Sequence, residues 1–419
     1  MESCTLVTCL KNESENVLTM LKSCEGLYSA YVIGFDDKAT DGTKEIVTEY
    51  FKEKDIRGIM YDFTWNNNFS DARNNYLNLA YEHFPENNWN LILDGDDILN
   101  PGKLLEVPDS REQVKLILNL SLDRFQYEAI NAYVYLDIDE YGIPLLFYPR
   151  VHMVRNLPHV RFMFASHNTI DVPGEKQILI KEFIVIHKQK PKKRRERELQ
   201  RVEMNIPNLE DQTASDGATD SSRGYFYLGN TYMDAGEIEK AKECYEKYLE
   251  ISTWPDERYQ ARIHLGGISF MQGNTEDAYI QTQAALHESN QWARTEAYIL
   301  LADCCLVTGQ ITQAIHWLEI ASRLKPPVNG LFLQGHLYTW LPHWRLMLLY
   351  DKLSNWTLAL QHAKISATWR PMPEMKLVIE LLTDLAACHS ADETRTLDDD
   401  VRIYPIREQD IQSALSLGD

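Results

Sequence analysis

Residues 91–98 read LILDGDDI, an apolar run that ends in three carboxylates, Asp94, Asp96 and Asp97, set around one glycine. Asp and Gly also make ordinary turns, because Asp hydrogen-bonds its own backbone and Gly accepts positive φ. Three acids crowded at a strand end nevertheless ask for a counter-charge, and a divalent cation bound through oxygen would supply it. Hard carboxylate donors suit Mg2+ or Mn2+.

Other chemistry-bearing stretches lie on both sides of this octet. DDKATDGT (36–43) offers Asp36 and Asp41, and FSDARNN (69–75) offers Arg73 and Asn74, a guanidinium fork and an amide suited to phosphate or carboxylate. Arg73 equally fits an internal salt bridge to Asp94. FIVIH (183–187) closes an apolar run on His187, which is either a metal ligand or a surface residue at a strand end. From Lys188 to Arg201 the chain holds eight Lys/Arg against two Glu. Within that run Arg194 and Arg195 are candidates for a flap over an anionic ligand; otherwise the run is the solvated start of a helix.

These residues must be held by elements, and the first half alternates β-type runs with helical patterns. TLVTCL, SAYVIGF and WNLIL read as strands, while KNESENVLTMLKSC and KEIVTEYFKE read as helices. That alternation predicts a mainly parallel sheet covered on both faces, with ligands beyond the carboxyl ends of its strands. Both DDKATDGT and DGDD would open on that edge. YEAINAYVYLDID, LLFYPRVHMV and QILIKEFIVIH read as antiparallel additions.

Beyond a polar stretch the composition turns helical and repetitive. Gly236, Gly273 and Gly309 mark equivalent turns 37 and 36 residues apart, and Ala241, Ala278 and Ala314 repeat at the same intervals. Small residues at fixed spacing let paired helices pack closely, and the pattern resembles a tetratricopeptide array. A fourth, degenerate copy places Ala359 and Pro371 in matching positions. The expected organisation is a nucleotide-binding domain over 1–200, a linker over 201–222, a repeat domain over 223–390 and a tail of unassigned role over 391–419.

The first 200 residues resemble the family 2 glycosyltransferases of GT-A fold in four places. TLVTCLKNESENV is similar to the first strand and its Asn-Glu turn. DDKATDGT is similar to the Asp-x-x-Ser-Thr-Asp-x-Thr loop, DFTWNNNFSDARNN to the Phe-Ser-x-Ala-Arg-Asn segment, and ILDGDD to the Asp-x-Asp motif. The resemblance implies a Rossmann-like α/β catalytic domain followed by an all-α tetratricopeptide-type domain. It implies a metal-dependent inverting transfer from a nucleotide sugar, most simply a UDP-sugar, in which Mn2+ or Mg2+ offsets charge on the departing diphosphate.

Within that reading Asp96 contacts the metal, Asp94 meets the ribose or the metal and its water, Asp97 is a second contact and His187 a further ligand. Asp36 meets the nucleobase, with Asp41 in the same loop, and Arg73 and Asn74 bind the donor. RVHMVRNLPHVRFMFASHNTI is similar to a segment that in related enzymes ends in Val-His-Glu. Here Ser166, His167 and Asn168 stand in that place. Asn cannot take a proton, so His167 or Asp171 is left as the base, unless the acceptor is a thiol that needs little help.

The pairing with repeats is similar to enzymes that glycosylate cysteine or serine in peptide bacteriocins, which implies a peptide or protein acceptor and leaves a homodimer through the repeats open. A phage-type enzyme acting on modified DNA bases is the alternative acceptor reading, and a scaffold that has lost catalysis is the non-enzymatic one.

The totals limit these readings. Hydrophobic residues make up 44% and charged ones 25%, and the formal net charge is −20, which opposes general binding to nucleic acid. No apolar run reaches the ~20 residues a bilayer crossing needs, and the N-terminus is not signal-like. Seven cysteines without paired CxxC spacing fit reduced, core-packed thiols and a cytoplasmic location.

Overall fold

The computed structural model describes residues 3–102, 109–119, 127–187, 205–210, 219–288, 293–328 and 330–392. They divide into two compact units, one of residues 1–297 with 325–335 and one of 298–324 with 336–419.

The first unit is built on an eight-stranded mixed sheet in the order β3-β2-β1-β4-β7-β6-β10-β5. Its strands are β1 (Cys4–Leu10), β2 (Ala30–Asp36), β3 (Arg57–Phe63), β4 (Trp89–Ile92), β5 (Asp97–Leu99), β6 (Ala129–Ile138), β7 (Pro144–Arg155) and β10 (Gln177–His187); β8 (Phe162–Met163) and β9 (Thr169–Ile170) form a separate hairpin. Strands β1 to β4 pair in parallel, as the alternation of strand and helix predicts. β7 is antiparallel to both β4 and β6. β10, expected as a further antiparallel strand, runs parallel to β6 and is antiparallel only to β5. β3 escapes sequence reading because it is a half-exposed edge strand whose burial does not alternate cleanly.

Side-chain alternation divides the core between the two faces of the sheet. Leu6, Leu10, Tyr31, Ile33 and Phe35 pack against α1 (Val17–Ser23), α2 (Thr43–Lys54) and α4 (Ser110–Asn119). Val7, Ala30, Val32 and Ile92 pack on the other side against Tyr76, Leu77 and Ala80 of α3 (Phe69–His83). Asn68 fixes the start of α3, because its side-chain oxygen accepts from the Ser70 and Asp71 amides and satisfies donors the first turn leaves unpaired.

The same unit continues into helical pairs, α5 (Thr219–Asp234) with α6 (Ile238–Ile251) and α7 (Pro255–Met271) with α8 (Thr275–Leu286). Residues 205–210, inside the expected linker, are helical, and Leu209 is buried with Phe226, Tyr245 and Tyr248 of the first pair. Residues 330–335 return to the sheet, where Leu333 and Phe147 exchange backbone hydrogen bonds of 2.8 and 2.9 Å. α9 (Thr295–Val307), α10 (Ile311–Ala321), α11 (Leu341–Lys352), α12 (Trp356–Trp369) and α13 (Pro373–Asp392) follow, most of them in the second unit.

The repeat turns show why glycine recurs. Gly236, Gly273 and Gly309 have φ of 77°, 78° and 76°, and the amide after each bonds a carbonyl five residues back, as in Asn274 to Ser269 at 2.8 Å. This is the left-handed helix stop that glycine adopts without strain. In the degenerate fourth pair Ser354 takes the same place at φ 55°. Ala241, Ala278, Ala314 and Ala359 are all fully buried. Of the seven cysteines, Cys388 departs from the expectation of core packing, because it is exposed on α13.

Candidate active site

The carboxyl ends of β1, β2 and β4 form one edge, and the acid-rich loops gather there. Gly95 is closely packed, since a Cβ there would sit 2.6 Å from Glu13 Cγ and 2.8 Å from Leu10 Cδ2. The DGDD turn therefore packs directly on the turn after β1. Asp94 N–H donates to Asp97 Oδ2 at 2.8 Å, and the Asp97 amide donates to the Asp94 carbonyl at 3.0 Å.

β5 carries fully buried Asp97 opposite His187 at the end of β10. His187 Nδ1 lies 2.9 Å from Asp97 Oδ1 and 3.5 Å from Asp96 Oδ1. Asp96, Asp97 and His187 each offer one ligand atom, and these atoms lie within 4.8 Å of one another. Burial pushes the Asp96 carboxyl up to about 6, with the charges of Asp97, Glu13 and Asp94 adding to the rise against the pull of His187. Burial disfavours a charged imidazole at His187, but the hydrogen bond to Asp97 and the surrounding carboxylates outweigh it and raise its pKa. Oxygen and imidazole donors at this spacing fit a divalent ion.

Asp94 is placed differently from the expected metal set. Arg73 Nη2 bonds both of its oxygens, at 2.8 and 3.2 Å, and Arg150 Nη2 bonds Oδ2 at 2.5 Å. Burial alone would raise this carboxyl, yet the Arg150 and Arg73 charges hold it far below the usual carboxylate range. Two guanidiniums balance Asp94, and the carboxylate that lies with Asp96 beside His187 is that of Asp97. Arg73 thus forms the internal salt bridge to Asp94 that the sequence allows.

Arg150 was not singled out in the sequence. Its signal is an arginine inside the β-type run LLFYPRVHMV, where a charge on a sheet face needs a partner. His152, two residues on, bonds the Ile92 carbonyl at 2.8 Å through Nδ1, and burial with the nearby Arg150 charge lowers it to about 4.

Asp36, nearly buried at the end of β2, lies 2.8 Å from Lys11 Nζ and accepts from the Lys38 amide at 2.8 Å. Burial opposes its charge, but Lys11 and that amide win and lower its pKa. Asp41 ties loops together, accepting from the amides of Ser14 and Thr43 at 2.8 and 3.1 Å and from the Thr43 hydroxyl at 2.5 Å. It is lowered to about 2, those bonds outweighing the effect of burial. Asn74 is likewise structural, donating to the Phe162 carbonyl and accepting from the Phe162 amide at 2.9 and 2.8 Å.

His167 and Asp171 lie in and just beyond the β8–β9 hairpin, and the hairpin is fastened to the first turn of α3. Phe69 N donates to the Ala165 carbonyl at 2.9 Å and Ser70 Oγ to the Phe164 carbonyl at 2.5 Å. One turn farther along the same helix is Arg73, so the hairpin and the Asp94 cluster flank a common support. Arg194 and Arg195 lie outside the described residues.

Residues 5–110 match the family described as glycosyl transferase family 2. The chain carries a glycosyltransferase domain. Residues 222–252 match the tetratricopeptide repeat, the segment that spans α5 and α6. No curated protein matches the chain. Among solved structures, MamA is 20% identical over 44% of this chain and 96% of its own, with a TM-score of 0.34. YrrB, titled a TPR protein with an unusual peptide-binding site, is 18% identical over 44% of this chain and 84% of its own, with a TM-score of 0.31. A thermophilic TPR protein of Thermus thermophilus is 14% identical over 44% of this chain and 92% of its own, with a TM-score of 0.30.

The glycosyltransferase match covers β1 to β5 together with Asp36, Arg73, Asp94, Asp96 and Asp97. Arg150, His167, Asp171 and His187 lie beyond it, on strands and a hairpin that the fold brings to or near the same region. No helix among the described residues is long and apolar enough to cross a membrane.

Proposed function

We propose that the chain is a metal-dependent, inverting glycosyltransferase that moves a sugar from a UDP-sugar to a polypeptide side chain. The carrying observation is the Asp96, Asp97 and His187 cluster beyond the sheet edge, adjoining the Asp94–Arg73–Arg150 ion cluster. Mn2+ or Mg2+ held by the three ligands would supply positive charge opposite the leaving diphosphate. Arg73 and Arg150 add fixed positive charge beside it, aligned by Asp94 before substrate arrives, which is the arrangement that stabilises developing charge without reorganisation. Asp36, set at the end of β2 with Lys11 beside it, receives the nucleobase side of the donor.

In the transfer, the acceptor's hydroxyl or thiol attacks the anomeric carbon as the bond from that carbon to the diphosphate oxygen breaks. The bonding pair leaves with the diphosphate, and the acceptor proton passes to His167. A polypeptide acceptor is supported by the tetratricopeptide match in the helices that follow the catalytic sheet. The net charge of −20 weighs against a DNA acceptor.

A thermal-shift panel of nucleotide sugars with and without Mn2+ tests the donor and the metal together. The expected result is a UDP-sugar shift that requires Mn2+, and metal-dependent release of UDP that Asp96→Ala abolishes without unfolding the protein. Absence of turnover with every donor would favour a non-catalytic scaffold.

A further inference from the structure

We infer that Tyr227, on the first helix of the first repeat, is a positioning residue for His167, so that the repeat region completes the acceptor side of the transfer site. This rests on the reading of His167 as the base.

The hairpin turn that carries His167 is conformationally demanding. Phe164 and His167 have φ of 73° and 49°, in the left-handed region where residues other than glycine persist only if their surroundings hold them. On one side the first turn of α3 holds the hairpin, as described above. On the other side the holding groups come from the helical region. Asn208 donates to Ser166 Oγ at 3.1 Å and to the Asn67 carbonyl at 2.9 Å. The His167 imidazole stacks on the Tyr227 ring, with centroids 4.1 Å apart and planes 16° from parallel.

Tyr227 is itself rigidly placed. It is nearly buried, and its hydroxyl accepts from Arg223 Nη2 at 3.0 Å. The Arg223 guanidinium lies 5.1 Å from the Tyr227 ring centroid and 3.5 Å from the carboxylate of buried Glu257. Glu257 in turn accepts from the Tyr248 hydroxyl at 3.0 Å. A continuous run of ring and ion contacts thus leads from the core of the first repeat to one face of the imidazole. A ring held on one face has its two nitrogens confined to a single plane, and such orientation is what a group accepting a proton at a fixed acceptor atom requires.

The test uses the full-length protein and the UDP-sugar that gives the largest Mn2+-dependent shift in the panel above, with UDP release as the activity and histidine NMR as an independent readout. In the wild type the His167 ring protons are expected upfield, under the Tyr227 ring, and both Tyr227→Ala and the volume-keeping Tyr227→Leu should remove that displacement. Tyr227→Ala should lower kcat by about 10-fold with the donor KM unchanged, Tyr227→Phe should restore most of the loss, and Tyr227→Ala should cost nothing further in a His167→Ala background. Unmoved His167 resonances, or an equal kcat loss in the two backgrounds, would overturn the positioning role while leaving His167 as the base. Full activity of His167→Ala would overturn the base itself and the positioning role with it.

Discussion

Gly95→Ala offers a geometric test of the acid cluster that leaves every charged group in place. An added Cβ would lie 2.6 Å from Glu13 Cγ and 2.8 Å from Leu10 Cδ2, whereas an unstrained contact begins near 3.4 Å. The deficit is therefore about 0.6 to 0.8 Å, from those same separations. Neither neighbour yields easily. Leu10 is 1% exposed in the core, and the Glu13 backbone is tied to the Thr43 hydroxyl at 2.8 Å. The turn carrying Asp94, Asp96 and Asp97 must then move by roughly half an ångström, and metal-ligand distances tolerate only about 0.2 Å.

The steric cost should lower stability by about 1 to 3 kcal/mol, read from urea unfolding. Mn2+ affinity, read by calorimetry or by the electron paramagnetic resonance of the free ion, should fall by at least about 10-fold, the usual scale for disturbing the support of a metal ligand. Circular dichroism should be unchanged, since the substitution lies in a turn. A Gly95→Ala protein that binds Mn2+ as tightly as the wild type would show that the close packing of this turn on the β1 loop does not position the cation ligands.

Arg150→Gln removes one of the two guanidiniums on Asp94 and one positive charge beside the cation site, so UDP should bind more weakly and Mn2+ alone more tightly, each by about 5- to 30-fold for a partly exposed group; calorimetry of the two ligands separately checks the opposite signs. Mn2+ affinity should fall by at least about 10-fold between pH 7 and 5, because the Asp96 carboxyl, raised to about 6, and the His187 imidazole, also raised, must both give up protons to the ion; titrations in buffers of different ionisation enthalpy should show more proton release near pH 6 than near pH 8. Gly273→Ala, at φ 78° with open space around the new methyl, should cost about 1 kcal/mol through backbone strain alone. Ser354→Gly, at the equivalent turn with φ 55°, should gain about 0.5 kcal/mol. Urea unfolding separates these two from the wild type.

The legible parts of the fold are those in which one local rule acts alone. The repeat turns could be located because Gly236, Gly273 and Gly309 answer a backbone demand that scarcely depends on the rest of the molecule. β1 and β2 were readable because both their faces are buried and their residues are correspondingly apolar. The short helix at 205–210 was not, because Leu209 gains its place only from Phe226 and Tyr245 after the chain has folded back. The direction of β10 escaped for a related reason. A strand records in its own residues which faces are buried, while its pairing is decided by neighbours more than forty positions away.

The site divides along the same line, and the division explains why Asp97 lies with Asp96 and His187 while Asp94 lies between two guanidiniums. Sequence shows three carboxylates and one nearby arginine in order, and from order alone the two acids around Gly95 look like the metal pair. Their counter-charges come from groups that arrive from β7 and β10. Arg150 reaches Asp94 from a strand inserted between β4 and β6, and His187 reaches Asp97 because β5 pairs antiparallel with the end of β10. A carboxylate beside two guanidiniums holds its charge without an ion, whereas Asp96, with its proton retained up to about pH 6 and a single imidazole close by, gains most from one. The sharing of counter-charge among Asp94, Asp96 and Asp97 is thus a property of sheet order, and moving β7 or β10 by one place would change which acid meets Arg150 and which meets His187 without altering a residue of the DGDD motif.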